Sequence, residues 1–453
     1  MIPWCKKGIM ILPSWFLRKE GIKIMEIYLI GLAVALVGGL LMSRLTRLLH
    51  LPAVTAYLVA GLLLGPFFLG RLNVPGLGFN TLDEVNVLSI VSQTALGFIA
   101  FAMGNEFRLS QLRTIGSRAI IIGILQAVIT TIVVDVVLLL LHLFFPHIIS
   151  VPCAITLGAI AAPAATLMVV RQYKADGPMT RLLMLVVALD DAVGLLLFSV
   201  SFGIATALSN GQVSVLAVVV EPIVEILLSV GLGGFMGLLL HWVERFFHSR
   251  SKRMSLSVAF VMLTVGLSML EFQIGPVHCG FSLLLVCMMT GTIFCNVCPT
   301  SEELMERVDG WTMPLNILFF VISGAELELG VFKELASVLV GIIYMLARSA
   351  GKYIGARESA KLMRCDKNIV EYLGITLLPQ AGVALGMCVT ASTLPEDGAL
   401  IRNIVLFAVL IYELVGPMLT KWALQKAGDI KPMGDDIRNR RERKLEQAKN
   451  VQH

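Results

Sequence analysis

Leu182-Leu-Met-Leu-Val-Val-Ala-Leu-Asp-Asp-Ala-Val-Gly-Leu-Leu-Leu-Phe198 is a helix-length apolar run whose only charges are two adjacent acids, Asp190 and Asp191. A carboxylate at bilayer depth costs on the order of 3 kcal/mol or more even after relaxation, and such residues mark ion and proton pathways. A neighbouring pair doubles that cost unless something titrates or binds there. Around it, the 453 residues are 57% hydrophobic and 15% charged, in repeated runs of about 20 apolar residues, the length that crosses a bilayer as a helix. This excludes a soluble globular chain and predicts an all-α polytopic membrane protein.

Apolar windows fall near 27–46, 51–69, 86–104, 118–143, 150–170, 182–207, 213–241, 255–272, 280–297, 311–330, 333–354, 369–391 and 400–421, about thirteen spans. The net charge of +5 is a topology signal and calls for no nucleic-acid partner, because the basic residues lie between spans and in the tail. Arg44, Arg47, Arg108, Arg113, Arg171, Lys174, Arg245, Lys252, Arg253, Arg357, Lys361, Arg364 and Lys367 fall on one side of this topology. The positive-inside rule makes that side cytoplasmic, together with the C-terminus. The expected organisation is an extension at 1–24, a transmembrane domain at 25–425 with core and dimerisation regions, and a basic cytosolic tail at 426–453. The extension carries Lys6, Lys7, Arg18, Lys19 and Lys23, which fits either a natural start at Met25 or a short amphipathic or signal-like stretch. The eight cysteines are dispersed, and the close pair Cys295 and Cys298 has no second pair or histidine in sequence to complete a metal site. No cofactor is expected, and no metal beyond a transported cation.

Two spans are interrupted. Gly158-Ala-Ile-Ala-Ala-Pro-Ala-Ala-Thr166 puts Pro163 near the middle of one, and Leu378-Pro-Gln-Ala-Gly-Val-Ala-Leu-Gly386 puts Pro379 and Gly382 near the middle of another. Proline removes a helical hydrogen bond and clashes with the preceding turn, so both helices open near the midplane. They run in opposite directions, which is the sequence mark of an inverted-repeat transporter whose freed backbone groups line an ion site.

With these pieces in place, the chain resembles the cation/proton antiporter superfamily, and within it the second, largely prokaryotic family of sodium or potassium/proton exchangers. The resemblance covers roughly 27–425. It is carried by Leu51-Pro-Ala-Val-Thr-Ala-Tyr-Leu-Val-Ala-Gly-Leu-Leu-Leu-Gly-Pro66, Leu96-Gly-Phe-Ile-Ala-Phe-Ala-Met-Gly-Asn-Glu106, Pro163 and Ala188-Leu-Asp-Asp191. Further on come Phe319-Phe-Val-Ile-Ser-Gly324, Met345-Leu-Ala-Arg-Ser-Ala-Gly-Lys-Tyr-Ile-Gly355 and Leu378-Pro-Gln-Ala-Gly-Val383. The resemblance implies two crossed broken helices beside the Asp helix, a panel-like dimerisation domain formed by the early spans and 213–272, a homodimer in the plasma membrane, and elevator-type alternating access. It also implies that Asp191 is the principal carrier of cation and proton.

Adjacent helical residues differ by about 100° in direction, so Asp190 and Asp191 cannot face one cavity equally. Gly194, three residues beyond Asp191 and four beyond Asp190, either leaves room on that face for close approach by a broken helix or serves simple helix packing. Coupled buried carboxyls titrate as a pair, and an arriving sodium ion competes with the proton for the same oxygens. Potassium and lithium are the alternatives to sodium. Hard oxygen ligands are available from Asp191, opened backbone near Pro163 and Pro379, and the Thr166 hydroxyl. Gln380 lines the cavity or satisfies freed backbone, and Arg348 is the cation placed to pair with an intramembrane acid. Glu106 with Arg108 reads as a cap, Gln93 and Gln126 as helix bridges, Asp135 and Glu271 as acids reaching water, and Glu413 as a structural pair.

The chain departs from its relatives at two points. Ala161-Ala162 stand where many have Thr or Ser, and window 311–330 lacks the lysine of electrogenic relatives, carrying only Glu326 and Glu328 as charges. The second departure favours electroneutral one-for-one exchange. Transport of an organic solute, or a non-transporting sensor on the same scaffold, is the alternative. An intramembrane aspartyl protease is disfavoured, because its acids must oppose one another across a water, which adjacent residues cannot easily do.

Overall fold

The computed structural model describes residues 14–48, 53–72, 74, 78–109, 117–173, 175–209, 220–270, 272–274, 277–327 and 335–430. Residues 1–13, Arg113, Lys174, Glu271, Glu328 and residues 431–453 of the tail lie outside them. Helices occupy every one of the thirteen windows. In chain order they are α1 (Ser14–Leu48), α2 (Ala53–Leu64), α3 (Leu82–Val87), α4 (Ser89–Asn105), α5 (Ser117–Phe144), α6 (Val151–Ile160), α7 (Leu167–Tyr173), α8 (Pro178–Ser209), α9 (Glu221–Glu244), α10 (Arg250–Ser268), α11 (Leu283–Val297), α12 (Ser301–Ala325), α13 (Leu335–Leu362), α14 (Lys367–Thr376), α15 (Gly382–Ala391) and α16 (Gly398–Ala427). Among the described residues, eight helical segments are long and apolar enough to cross a membrane, with Val151–Ile160, Leu283–Val297 and Gly382–Ala391 as shorter apolar helices beside them. The one strand pair among the described residues, Phe272–Ile274 with Val277–Cys279, is a hairpin between α10 and α11. Helix α1 begins at Ser14, so it runs through the boundary the sequence placed at 24/25.

The helices sort into two bodies. In one, α1, α2, α4, α9, α10, α11 and α12 pack on one another; in the other, α5 to α8 pack with α13 to α16. We call these the panel and the core. Within the core the order helix, interrupted helix, helix occurs twice, as α5, α6/α7, α8 and as α13, α14/α15, α16.

Local chemistry sets the interruptions. Ser150 starts α6 by accepting the Cys153 amide on its hydroxyl at 3.0 Å, with Pro152 in the first turn. The helix stops at Ile160 because Pro163 has no N–H to continue it. Helix α8 is capped from the far end of the chain. The Asp429 carboxylate accepts from the Thr180 amide at 2.5 Å and the Thr180 hydroxyl at 2.7 Å, placing negative charge at a helix N-terminus. Just before it, Gly428 ends α16 in the left-handed conformation (φ 88°).

Between the two bodies lies a cavity of about 630 Å³ lined by residues of α4, α8, α9, α10, α11 and α15. It sits at the start of α9 and the end of α10. The arginines 245, 250 and 253 cluster at the opposite ends of the same two helices.

Candidate cation and proton site

Asp190 has no solvent exposure, whereas Asp191 is half-buried. The 100° between neighbouring helical positions sends them to different partners. Asp190 turns toward α5 and α13. Its Oδ1 accepts from Gln126 Nε2 at 2.5 Å and its Oδ2 takes an ion pair from Lys352 Nζ at 2.6 Å. The same ammonium donates to Gln126 Oε1 at 3.1 Å, closing a three-residue ring in which every member is fully buried. Asp191 turns toward the first break. The Ala164 backbone N–H faces its carboxylate, and its Oδ1 has no hydrogen-bond partner among the described residues.

Two close approaches make this geometry possible. A Cβ on Gly194 would stand 3.0 Å from Pro163 Cγ and 3.4 Å from Ala162 Cβ, so the bare backbone lets the break lie against the Asp helix, the first of its two sequence readings. On α13, a Cβ at Gly351 would reach the Thr130 Cα at 3.0 Å, and one at Gly355 would reach the Gln126 carbonyl at 3.0 Å. This small-xxx-small spacing draws α13 onto α5 and brings Lys352 within reach of Asp190.

Arg348 corrects an expectation. It does not pair with an acid. Its Nε donates to Ala161 O at 3.0 Å, Nη2 to Pro163 O at 2.8 Å, and Nη1 to Leu378 O at 2.7 Å, with the guanidinium 4.5 Å from the centre of the Tyr412 ring. One side chain therefore satisfies carbonyls released at both breaks, and places positive charge where two half-helices present their negative ends. The breaks also bond directly: Ala165 N–H to Pro379 O at 2.9 Å, Thr166 hydroxyl to Thr376 O at 2.5 Å, and Gln380 Nε2 to Ile160 O at 2.8 Å. So the Thr166 hydroxyl hydrogen is committed to the crossing. Of its two expected roles, Gln380 takes the satisfaction of freed backbone. Pro163 and Pro379 stand at the breaks as expected. Gly382 opens α15 with open space around a would-be Cβ, the nearest atom being Ile99 Cγ2 at 3.9 Å.

Other assignments shift. Arg108 forms an ion pair with Glu302 at 3.0 Å. Asp135 Oδ1 is buried with no hydrogen-bond partner among the described residues, so this oxygen does not reach water. Gln126 does more than bridge helices, and Gln93 lines the cavity. Lys352 was missed, although it follows Arg348 by one helical turn in the quoted stretch.

Among the described residues, the cavity is lined by two acids, Glu221 and Glu225, and by no basic residue. Its wall includes Phe198, stacked on Phe202 at 5.3 Å, about two turns or roughly 10 Å along α8 from Asp191.

A family model described as sodium/hydrogen exchanger, transmembrane, matches residues 32–426. The chain belongs to the sodium/hydrogen exchanger family. It is a multi-pass membrane protein. The exchanger's fold is similar to that of the sodium proton antiporter MjNhaP1 from Methanocaldococcus jannaschii, with a TM-score of 0.70 over 90% of this chain and 99% of that one at 16% identity. A stretch of 94 residues is 31% identical to K(+) efflux antiporter 5 of Arabidopsis thaliana, covering 21% of the exchanger and 14% of that relative.

Proposed function

We propose that the exchanger moves sodium against protons by competition at the Asp190–Asp191 pair, with the core carrying the site past a stationary panel. The observation that carries this reading is the buried Lys352–Asp190 ion pair standing beside Asp191 at a helix break. A cation drawn to Asp191 and the opened backbone also attracts Asp190 and competes with Lys352 for it. An ammonium stripped of its partner in a dry interior costs several kcal/mol, so Lys352 sheds its proton as the cation settles. Together with the proton displaced from Asp191, this releases two protons for each cation. The electroneutral expectation rested on the missing lysine in 311–330; Lys352, one span later, supports the opposite reading.

The sparse packing between core and panel supports movement of one body against the other, and the acidic cavity supplies the outward approach. We further read the panel as the contact surface of a homodimer, the arginine-bearing end and the C-terminus as cytoplasmic, and the membrane as the plasma membrane. The similarity to a potassium efflux antiporter makes potassium the second reading.

The test is exchange in proteoliposomes with sodium, lithium and potassium in turn, with and without a valinomycin-set potential. A sodium gradient that generates a membrane potential is expected. Exchange indifferent to voltage would refute the role given to Lys352, and proton-coupled flux that no monovalent cation drives would refute cation antiport.

A further inference from the structure

Away from the transport site, at the arginine-bearing end of the panel, three side chains of different chemistry converge. His241 and Glu244 lie in the last turn of α9, three residues apart and so on one helix face. Cys298 follows α11, where the chain has become extended (φ −91°, ψ 117°). One ligand atom from each lies within 4.8 Å of the other two. The Cys298 thiol donates to Glu244 Oε2 at 2.9 Å, Thr300 Oγ1 donates to Glu244 Oε1 at 3.1 Å and lies 3.4 Å from the sulfur, and Arg253 Nε forms an ion pair with Glu244 Oε1 at 3.5 Å. Glu244 and Cys298 are buried. His241 Nδ1 is shielded from solvent and has no hydrogen-bond partner among the described residues, while its Nε2 is 2.8 Å from the exposed Arg245 guanidinium.

We propose that His241, Glu244 and Cys298 form a binding site for a thiophilic divalent cation of the zinc class, separate from the transported ion. One nitrogen, one oxygen and one sulfur are the donor set that zinc accepts, with a fourth position left for water beside Thr300. The sulfur excludes magnesium and calcium, which require hard oxygen ligands. Binding forms a metal–sulfur, a metal–nitrogen and a metal–oxygen bond. The thiol proton leaves to solvent, and the imidazole proton resides on Nε2 as Nδ1 ligates and Arg245 turns outward. No electron is transferred. The charges of the thiolate and of the Glu244 carboxylate, once the carboxylate gives up its 3.5 Å ion pair with Arg253, balance the divalent ion. The bound ion ties the last turn of α9 to the turn between α11 and α12, pinning this end of the panel. The sequence hides the site because its ligands are separated by the whole of α10 and α11, and the only visible cue was the Cys295, Cys298 pair.

The test is titration of the purified full-length protein with cobalt(II), followed by zinc(II). A single cobalt ion per chain is expected, with thiolate-to-cobalt absorption in the near ultraviolet that zinc abolishes and magnesium does not. Cys298→Ser removes the absorption, His241→Gln weakens binding by at least about ten-fold, and Cys295→Ser leaves both unchanged. Zinc is also expected to raise the unfolding temperature of the wild type and not of Cys298→Ser, a reading that needs no variant at the buried Glu244. No absorption in monodisperse wild-type protein overturns the proposal, as does absorption that survives Cys298→Ser or disappears with Cys295→Ser.

Discussion

Replacing Lys352 by methionine keeps length and apolar stem while deleting the ammonium. In the wild type that group sits 2.6 Å from Asp190 Oδ2 and 3.1 Å from Gln126 Oε1, with no solvent access to either residue. Removing one partner of a buried ion pair costs about 3–5 kcal/mol because the remaining charge is uncompensated. The surviving Gln126 bond to Asp190, at 2.5 Å, holds part of that charge, but the Gln126 carbonyl oxygen loses its donor. We therefore expect Lys352→Met to lose about 4 kcal/mol near neutral pH, and Lys352→Met with Asp190→Asn to recover a coupling of about 2–3 kcal/mol. The single variant's deficit shrinks as pH falls: a folded variant that takes up a proton at Asp190 binds more protons than its unfolded chain, and linkage then favours folding at lower pH. Unfolding by detergent titration in mixed micelles reads the stabilities, and currents on a supported membrane read charge movement, expected to vanish in Lys352→Met. Additive losses in the double variant, or a Lys352→Met protein with wild-type stability and current, would refute the argument.

Asp191→Asn is expected to abolish exchange in protein that inserts and purifies normally, since Asn keeps shape and loses the titrating charge; normal proton-coupled flux in a verified preparation counts against it. Arg348→Ala removes three charge-assisted bonds, each worth about 1.5–3 kcal/mol, so on the order of 5 kcal/mol is lost and little monodisperse protein should survive size-exclusion chromatography. Gly194→Val drives a side chain into Pro163 and is expected to cost at least about 1–3 kcal/mol by overpacking, with a lower unfolding temperature and slowed flux; unchanged values for both would show that the break does not lie against α8. Glu225→Gln is expected to raise the apparent KM for the external cation while sparing the maximal rate, and to flatten its dependence on ionic strength.

The parts of the fold and site visible in the sequence are those set by local rules. Pro163 and Pro379 break helices wherever they stand, Asp190 and Asp191 are anomalous in any apolar run, and Gly194 follows them on the same face. What stayed hidden depends on which helix neighbours which. Arg348 and Lys352 occupy one face of one helix, four residues apart, and nothing local distinguishes a cation bound to carbonyls from one bound to a carboxylate. The division was made by Gly351 and Gly355, whose approach to α5 places Lys352 beside Asp190 and leaves Arg348 at the crossing. Glu221 and Glu225 read as the start of a span, and their meeting with Ser199 and Thr390 around one cavity is a product of packing between distant segments.

The guanidinium at the crossing has a bearing on how this protein can change over time. Arg348 recognises Ala161, Pro163 and Leu378 only through their main-chain oxygens, so the side chains of the two interruptions carry little of the burden of holding them. The small side chains of Ala161 and Ala162 cost the scaffold nothing for that reason. Residues bordering the ion path can then drift and alter which cation is preferred while the frame stays intact. A library randomised at 161 and 162 should accordingly yield many folded members that differ in ion preference, and one randomised at 348 almost none.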